Sequence, residues 1–165
     1  MPIFVFGLPL HVLIVHAVVV LVPLAVLGTI VVAVWPAARR RHGWLIVGVT
    51  AAATISVPIA TGSGEDLRDR LIPTDLIREH AHLGDQLLAF VAILFVVSTA
   101  LVWLTRRDEP AMTSRAPKPL VITLAVLSVL SAVASGVQVA RIGDSGARAA
   151  WAETHYVEPQ PGHNG

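Results

Sequence analysis

The sequence predicts an all-α membrane protein, a bundle of four transmembrane helices, on three observations. Hydrophobic residues make up 55% of the chain and charged ones 14%. A soluble domain carries roughly a quarter charged residues, so lipid rather than water must cover this surface. Four apolar stretches reach the ~20 residues that a helix needs to cross a bilayer, and they run on without the alternation of strands. Acidic residues collect at one end of these stretches, and the acid-free run Arg39, Arg40 and Arg41 lies at the other.

The first span reads as Leu8–Trp35, with Pro23 near its middle predicting a kink or tilt. Arginines follow it and none precedes it, so it reads as a retained span rather than a cleaved leader. A second, shorter span covers Trp44–Ala60 and stops at Pro58, Gly62 and Gly64. The third, Leu83–Leu104, follows Pro73-Thr74-Asp75, a helix start with Thr74 or Asp75 as cap. Leu120–Ala140 forms the fourth, and the segment after Gly146, beginning "ARAAW" (147–151), predicts a short amphipathic helix at the outer surface with Trp151 and Tyr156 resting on lipid. These elements make one four-helix transmembrane domain over residues 1–157. The Pro/Gly-rich residues 158–165 read as a disordered tail.

Orientation follows from charge. Arg39, Arg40 and Arg41 lie after the first span, and Arg106, Arg107, Arg115 and Lys118 after the third. The positive-inside rule makes both connections cytoplasmic, which puts both termini outside a bacterial cytoplasmic (inner) membrane. Trp35, Trp44 and Trp103 then fall at the inner interface, where aromatic anchors belong. Every acid except Asp108 and Glu109 collects on the outer side. The two halves also look alike. Each begins with histidines, runs to a tryptophan before arginines, and returns to a glycine–acid segment, "ATGSGED" (60–66) and "ARIGDSGA" (140–147). This predicts a duplicated helical hairpin about an axis along the membrane normal.

Function has to be sought among the few polar residues. A net charge of +1 leaves no footprint for nucleic acid. The absence of cysteine excludes disulfides, iron–sulfur ligation and c-type haem attachment, so any metal is held by nitrogen or oxygen. Of the seven histidines, His42 alone is cytoplasmic. His16 lies about 7.5 Å deeper than His11 and roughly 140° around the helix from it. An ionisable group within a span normally faces the protein interior and finds a partner. Candidate partners for His16 are Glu65 and Asp66 after the glycines of span two, and either His80 or His82 at the head of span three. Glu79 and His82 have the Glu-x-x-His spacing, but a di-iron carboxylate site needs that motif on two helices and the chain offers one.

Three readings follow. In the first, the bundle holds a b-type haem as an electron carrier or redox accessory subunit. His16 and His80 then face each other as axial ligands, His11 stands beside them, and Arg141 or Arg148 meets a propionate. Quinone or a redox partner protein exchanges electrons on the outer side. In the second, His11, His16, Glu65, His80 and His82 supply ligands for a divalent transition metal such as zinc, iron or copper. The third is a structural accessory subunit of an oligomer or larger membrane complex, without a cofactor, whose polar mouth is simply hydrated. The serines of span four have no histidine nearby, so hydrolase chemistry has no constellation.

"LPLHVLIVH" (8–16), "TGSGED" (61–66), "REHAHLGD" (78–85) and "GDSGARAAW" (143–151) together resemble an uncharacterised group of small bacterial four-helix membrane proteins, classed as a domain of unknown function. The resemblance spans Leu8 to about Trp151. It rests on His11, His16, Gly62, Glu65, His80, Gly84, Gly143 and Gly146, with His82 standing where an acid is more usual. Relatives in that group sometimes adjoin Rieske or c-type cytochrome domains, so the resemblance implies electron transfer near a membrane.

Overall fold

A computed structural model describes residues 4–5, 7–106 and 117–152. A two-residue antiparallel pair comes first, with β1 at Phe4–Val5 and β2 at Leu8–Pro9. Gly7, between them, has φ +81°, a conformation that glycine adopts without steric cost. Four helices follow: α1 (Leu10–Val34), α2 (Pro36–Arg68), α3 (Asp75–Arg106) and α4 (Lys118–Trp151). Each is long and apolar enough to cross a membrane.

The helices outrun the predicted spans, and the reasons are local. Trp35 alone separates α1 from α2, because Pro36 is pre-set for a first helical position and the arginine run continues as helix rather than loop. Pro23 and Pro58 both lie inside helices without ending them. Gly62, Gly64, Gly143 and Gly146, read from the sequence as the ends of spans, sit inside α2 and α4. The predicted surface helix at 147–151 is the last turn of α4. Thr74 caps α3, its Oγ1 accepting from the Ile77 N–H at 3.3 Å. The tail after Glu158, His155, Tyr156, His163 and the segment carrying Asp108, Glu109 and Arg115 lie outside the described residues.

Around the bundle the order is α1, α2, α3, α4. Each helix packs on its two sequence neighbours, α4 closes onto α1, and α1 barely touches α3 across the diagonal. The core combines Val18 and Val22 of α1 with Leu87, Val91 and Leu94 of α3, while α2 and α4 contribute Ala53, Val57 and Ala132. Small side chains on α2 and α4 let helices approach closely, which is how packing energy is gained when lipid competes for every apolar surface. Gly43 shows how close. A Cβ there would come within 2.9 Å of Val102 Cγ1 on α3.

Burial repeats between the two halves. Setting His11 against His80 places buried Val18, Val22, Ala25, Thr29 and Val32 opposite buried Leu87, Val91, Leu94, Ser98 and Leu101. Setting Ser63 against Ser145 places Thr50, Ala53 and Ser56 opposite Ala132, Ser135 and Gln138, all buried. The bundle is therefore two similar hairpins about a central axis.

Arg39 has a structural task besides its charge. It is 7% exposed, and its guanidinium donates to the carbonyls of Val32 and Ala33 at 3.3 and 3.2 Å, satisfying acceptors left over at the end of α1. Arg39→Met keeps the aliphatic stem and strands those carbonyls. It is expected to cost about 1–3 kcal/mol, read as a lower unfolding midpoint in detergent, while Arg41→Met on the exposed side leaves the midpoint unchanged.

Candidate functional site

The polar end of the bundle is where α1 and α3 begin and α2 and α4 finish. His11 is the second residue of α1 and His80 lies in the second turn of α3, and both are half-buried. Their rings meet edge to face across the diagonal, with centroids 6.5 Å apart and planes at 79°.

Each ring is held by one nitrogen. His11 donates through Nδ1–H to the Ala60 carbonyl of α2 at 3.0 Å. A carbonyl can only accept, so Nδ1 carries a proton, and in the neutral ring Nε2 is then the nitrogen with the lone pair. At His80 the same result comes through a relay. Ser145 Oγ donates to the Ile142 carbonyl at 3.0 Å, and its lone pair then accepts from His80 Nδ1–H at 3.1 Å. Fixing one imidazole nitrogen by such a bond, so that the other is presented as a ligand, is the arrangement that orients metal-binding histidines.

The floor under each ring is a glycine. A Cβ on Gly64 would stand 3.0 Å from two His11 ring atoms, and one on Gly146 would stand 2.9 Å from His80 Cε1. Glycine inside a helix costs about 1 kcal/mol relative to alanine, and here the missing side chain is the space the imidazole occupies. Gln138, buried on α4, adds a cross-helix bond to the Leu83 carbonyl at 2.9 Å, which ties α3 to α4 one turn below His80.

Around the two rings lies a cavity of about 730 Å³. That falls within the ~300–1,000 Å³ of sites that enclose small molecules and cofactors. Its wall is almost wholly apolar, from Val15 and Val18 on α1 to Val139 and Ile142 on α4. The lining follows the internal repeat: His11, Val12, Val15 and Val18 recur as His80, Ala81, Gly84 and Leu87.

Other residues expected at the site are arranged differently. His16, expected to face His80, is exposed on the cavity rim and turns Nδ1 back to the Val12 carbonyl of its own helix. The helical rotation that brings His11 inward carries His16 out. His82 is exposed as well and accepts from Gln86 Nε2 at 3.0 Å. Glu65 reaches the cavity wall but is exposed, and Arg141 is exposed and takes no part in the lining. The five proposed metal ligands therefore do not converge. Among the described residues no three His, Asp or Glu side chains come together as a metal site.

Sequence reasoning missed Ser145, the two glycine floors and the His11–His80 pairing. The internal repeat carried the signal, because it sets His11 against His80 and His16 against Asp85. Chemically, two bare imidazole nitrogens undersupply a free ion such as zinc, which takes four ligands. A metal that arrived with its other ligands, as in a flat apolar ring, would need only two from the chain.

No curated protein matches this chain, and no solved structure does. Residues 7–159 match the profile of a family described as a predicted membrane protein, DUF2231.

Proposed function

The chain belongs to the DUF2231 family of membrane proteins, and from that footing we propose that it binds one b-type haem between His11 and His80 and works as an electron-transfer or redox accessory subunit. The observation that carries this reading is the pair of diagonal imidazoles 6.5 Å apart, each anchored through Nδ1, facing an apolar cavity of about 730 Å³. One-electron exchange is the chemistry that a haem with two histidine ligands supplies. The chain's own residues bind and orient it. Ala60 and Ser145 set the ring directions, Gly64 and Gly146 leave room for the rings, and Val18, Leu87 and Val139 exclude water. The site lies at the end that the charge distribution assigns to the outer face of a bacterial inner membrane, where quinol or a redox protein would exchange electrons with it.

The test is direct. Protein purified in mild detergent from haem-replete cells should be red, carry about one haem per chain, and show the spectrum of a low-spin iron with two nitrogen ligands. Colourless protein with stoichiometric zinc or copper would move the site to the metal reading. Colourless, metal-free protein would leave an accessory subunit with a hydrated mouth.

A further inference from the structure

The cavity lining is two-fold in shape but not in charge, and that asymmetry bears on how a ligand sits in it. Where α4 contributes Ala147 and Ala150, the equivalent positions of α2 carry Glu65 and Arg68. Among the described residues Arg68 is the one arginine or lysine in the lining, which also holds the carboxylates Glu65 and Asp85, and it stands one helical turn beyond Gly64, toward the bundle end. No partner for its guanidinium is found among the described residues. Its rivals are committed or remote. Arg78 pairs with Asp75 and Arg148 with Asp144, while Arg141 and Arg70 lie outside the lining.

We infer that Arg68 binds a propionate carboxylate of the cofactor at the cavity mouth; this rests on the haem reading. The ring of a b-type haem is apolar and its two propionates are anionic. In a cavity with an almost wholly apolar wall those carboxylates are stable only at the mouth and beside a cation. A guanidinium offers a carboxylate two parallel hydrogen bonds, which sets direction as well as strength.

The full-length chain, expressed without haem and kept in detergent, separates the possibilities when titrated with haem b and with haem b dimethyl ester, whose propionates are methylated. Wild-type protein is expected to prefer the free acid by about tenfold or more. Arg68→Ala is expected to bind both forms alike, with Arg68→Lys in between. Equal affinity of the wild type for acid and ester, or an undiminished preference in Arg68→Ala, would overturn the assignment while leaving the haem site standing. Uptake of neither form by the wild type would overturn the haem site, and this inference with it.

Discussion

His80→Ala is expected to abolish the low-spin haem spectrum, and His11→Ala to do the same, while His16→Ala and His82→Ala retain it. The contrast is what makes the experiment decisive, since His16 and His82 are as close in sequence and as plausible by residue type. Removing either inward imidazole would leave the proposed haem a single protein ligand, with no third His, Asp or Glu grouped to replace it among the described residues. Haem affinity should fall by about a hundredfold or more, since even the hydrogen-bonded partners of a metal ligand are worth about 10–100-fold. Any residual pigment should be high-spin. The fold is not expected to suffer, because both rings sit at the bundle end while the packed centre, from Val18 to Ala25 and Leu87 to Leu94, lies deeper. Loss of the spectrum in His16→Ala with retention in His11→Ala would reverse the assignment of ligands.

Gly146→Val should be nearly as severe, by a different route. A Cβ at this position would already stand 2.9 Å from His80 Cε1 and 3.2 Å from Nδ1, and the two methyls of valine would extend the clash. The imidazole must swing away, breaking its bond to Ser145 and moving Nε2 out of line. Valine in a helix costs little compared with glycine, so α4 should persist and circular dichroism should be unchanged while haem retention falls by about tenfold or more. Gly62→Val is the control. A Cβ there meets nothing within 4 Å, the position lies outside the cavity lining, and haem binding should survive. Equal retention in both variants would separate the glycine floor from the site.

Much of the candidate site was legible in the sequence and one decisive part was not. The polar end, the glycine–acid segments and the involvement of His11 and His80 could be read from where the few polar residues fall. Rotation could not. His11 and His16 are roughly 140° apart on their helix, as five residues dictate, so only one can face inward, and His80 and His82 pose the same choice. On α3 the inward stripe is His80, Gly84, Leu87, Val91 and Leu94, and on α1 it is His11, Val15, Val18, Val22 and Ala25. In a soluble helix such a stripe stands out because the opposite face is charged. Here Val19, Val20, Leu24 and Leu27 cover the outward face, so lipid-facing and core-facing residues have the same polarity. The serine relay and the glycine floors were hidden for a related reason, since each depends on contact between helices rather than on spacing within one.

The amino-acid sequence by itself determined that this chain forms four membrane-crossing helices in two similar hairpins, because hydropathy and length act on each segment alone. Only the packing of the four helices decided which histidines meet, which nitrogen each presents, and that Arg68 stands at the cavity mouth while Arg141 points away. The physical reason is that helical rotation in lipid is set by side-chain fit between neighbours, through small residues such as Gly43, Gly64 and Gly146, and not by a gradient of polarity that a single helix could display.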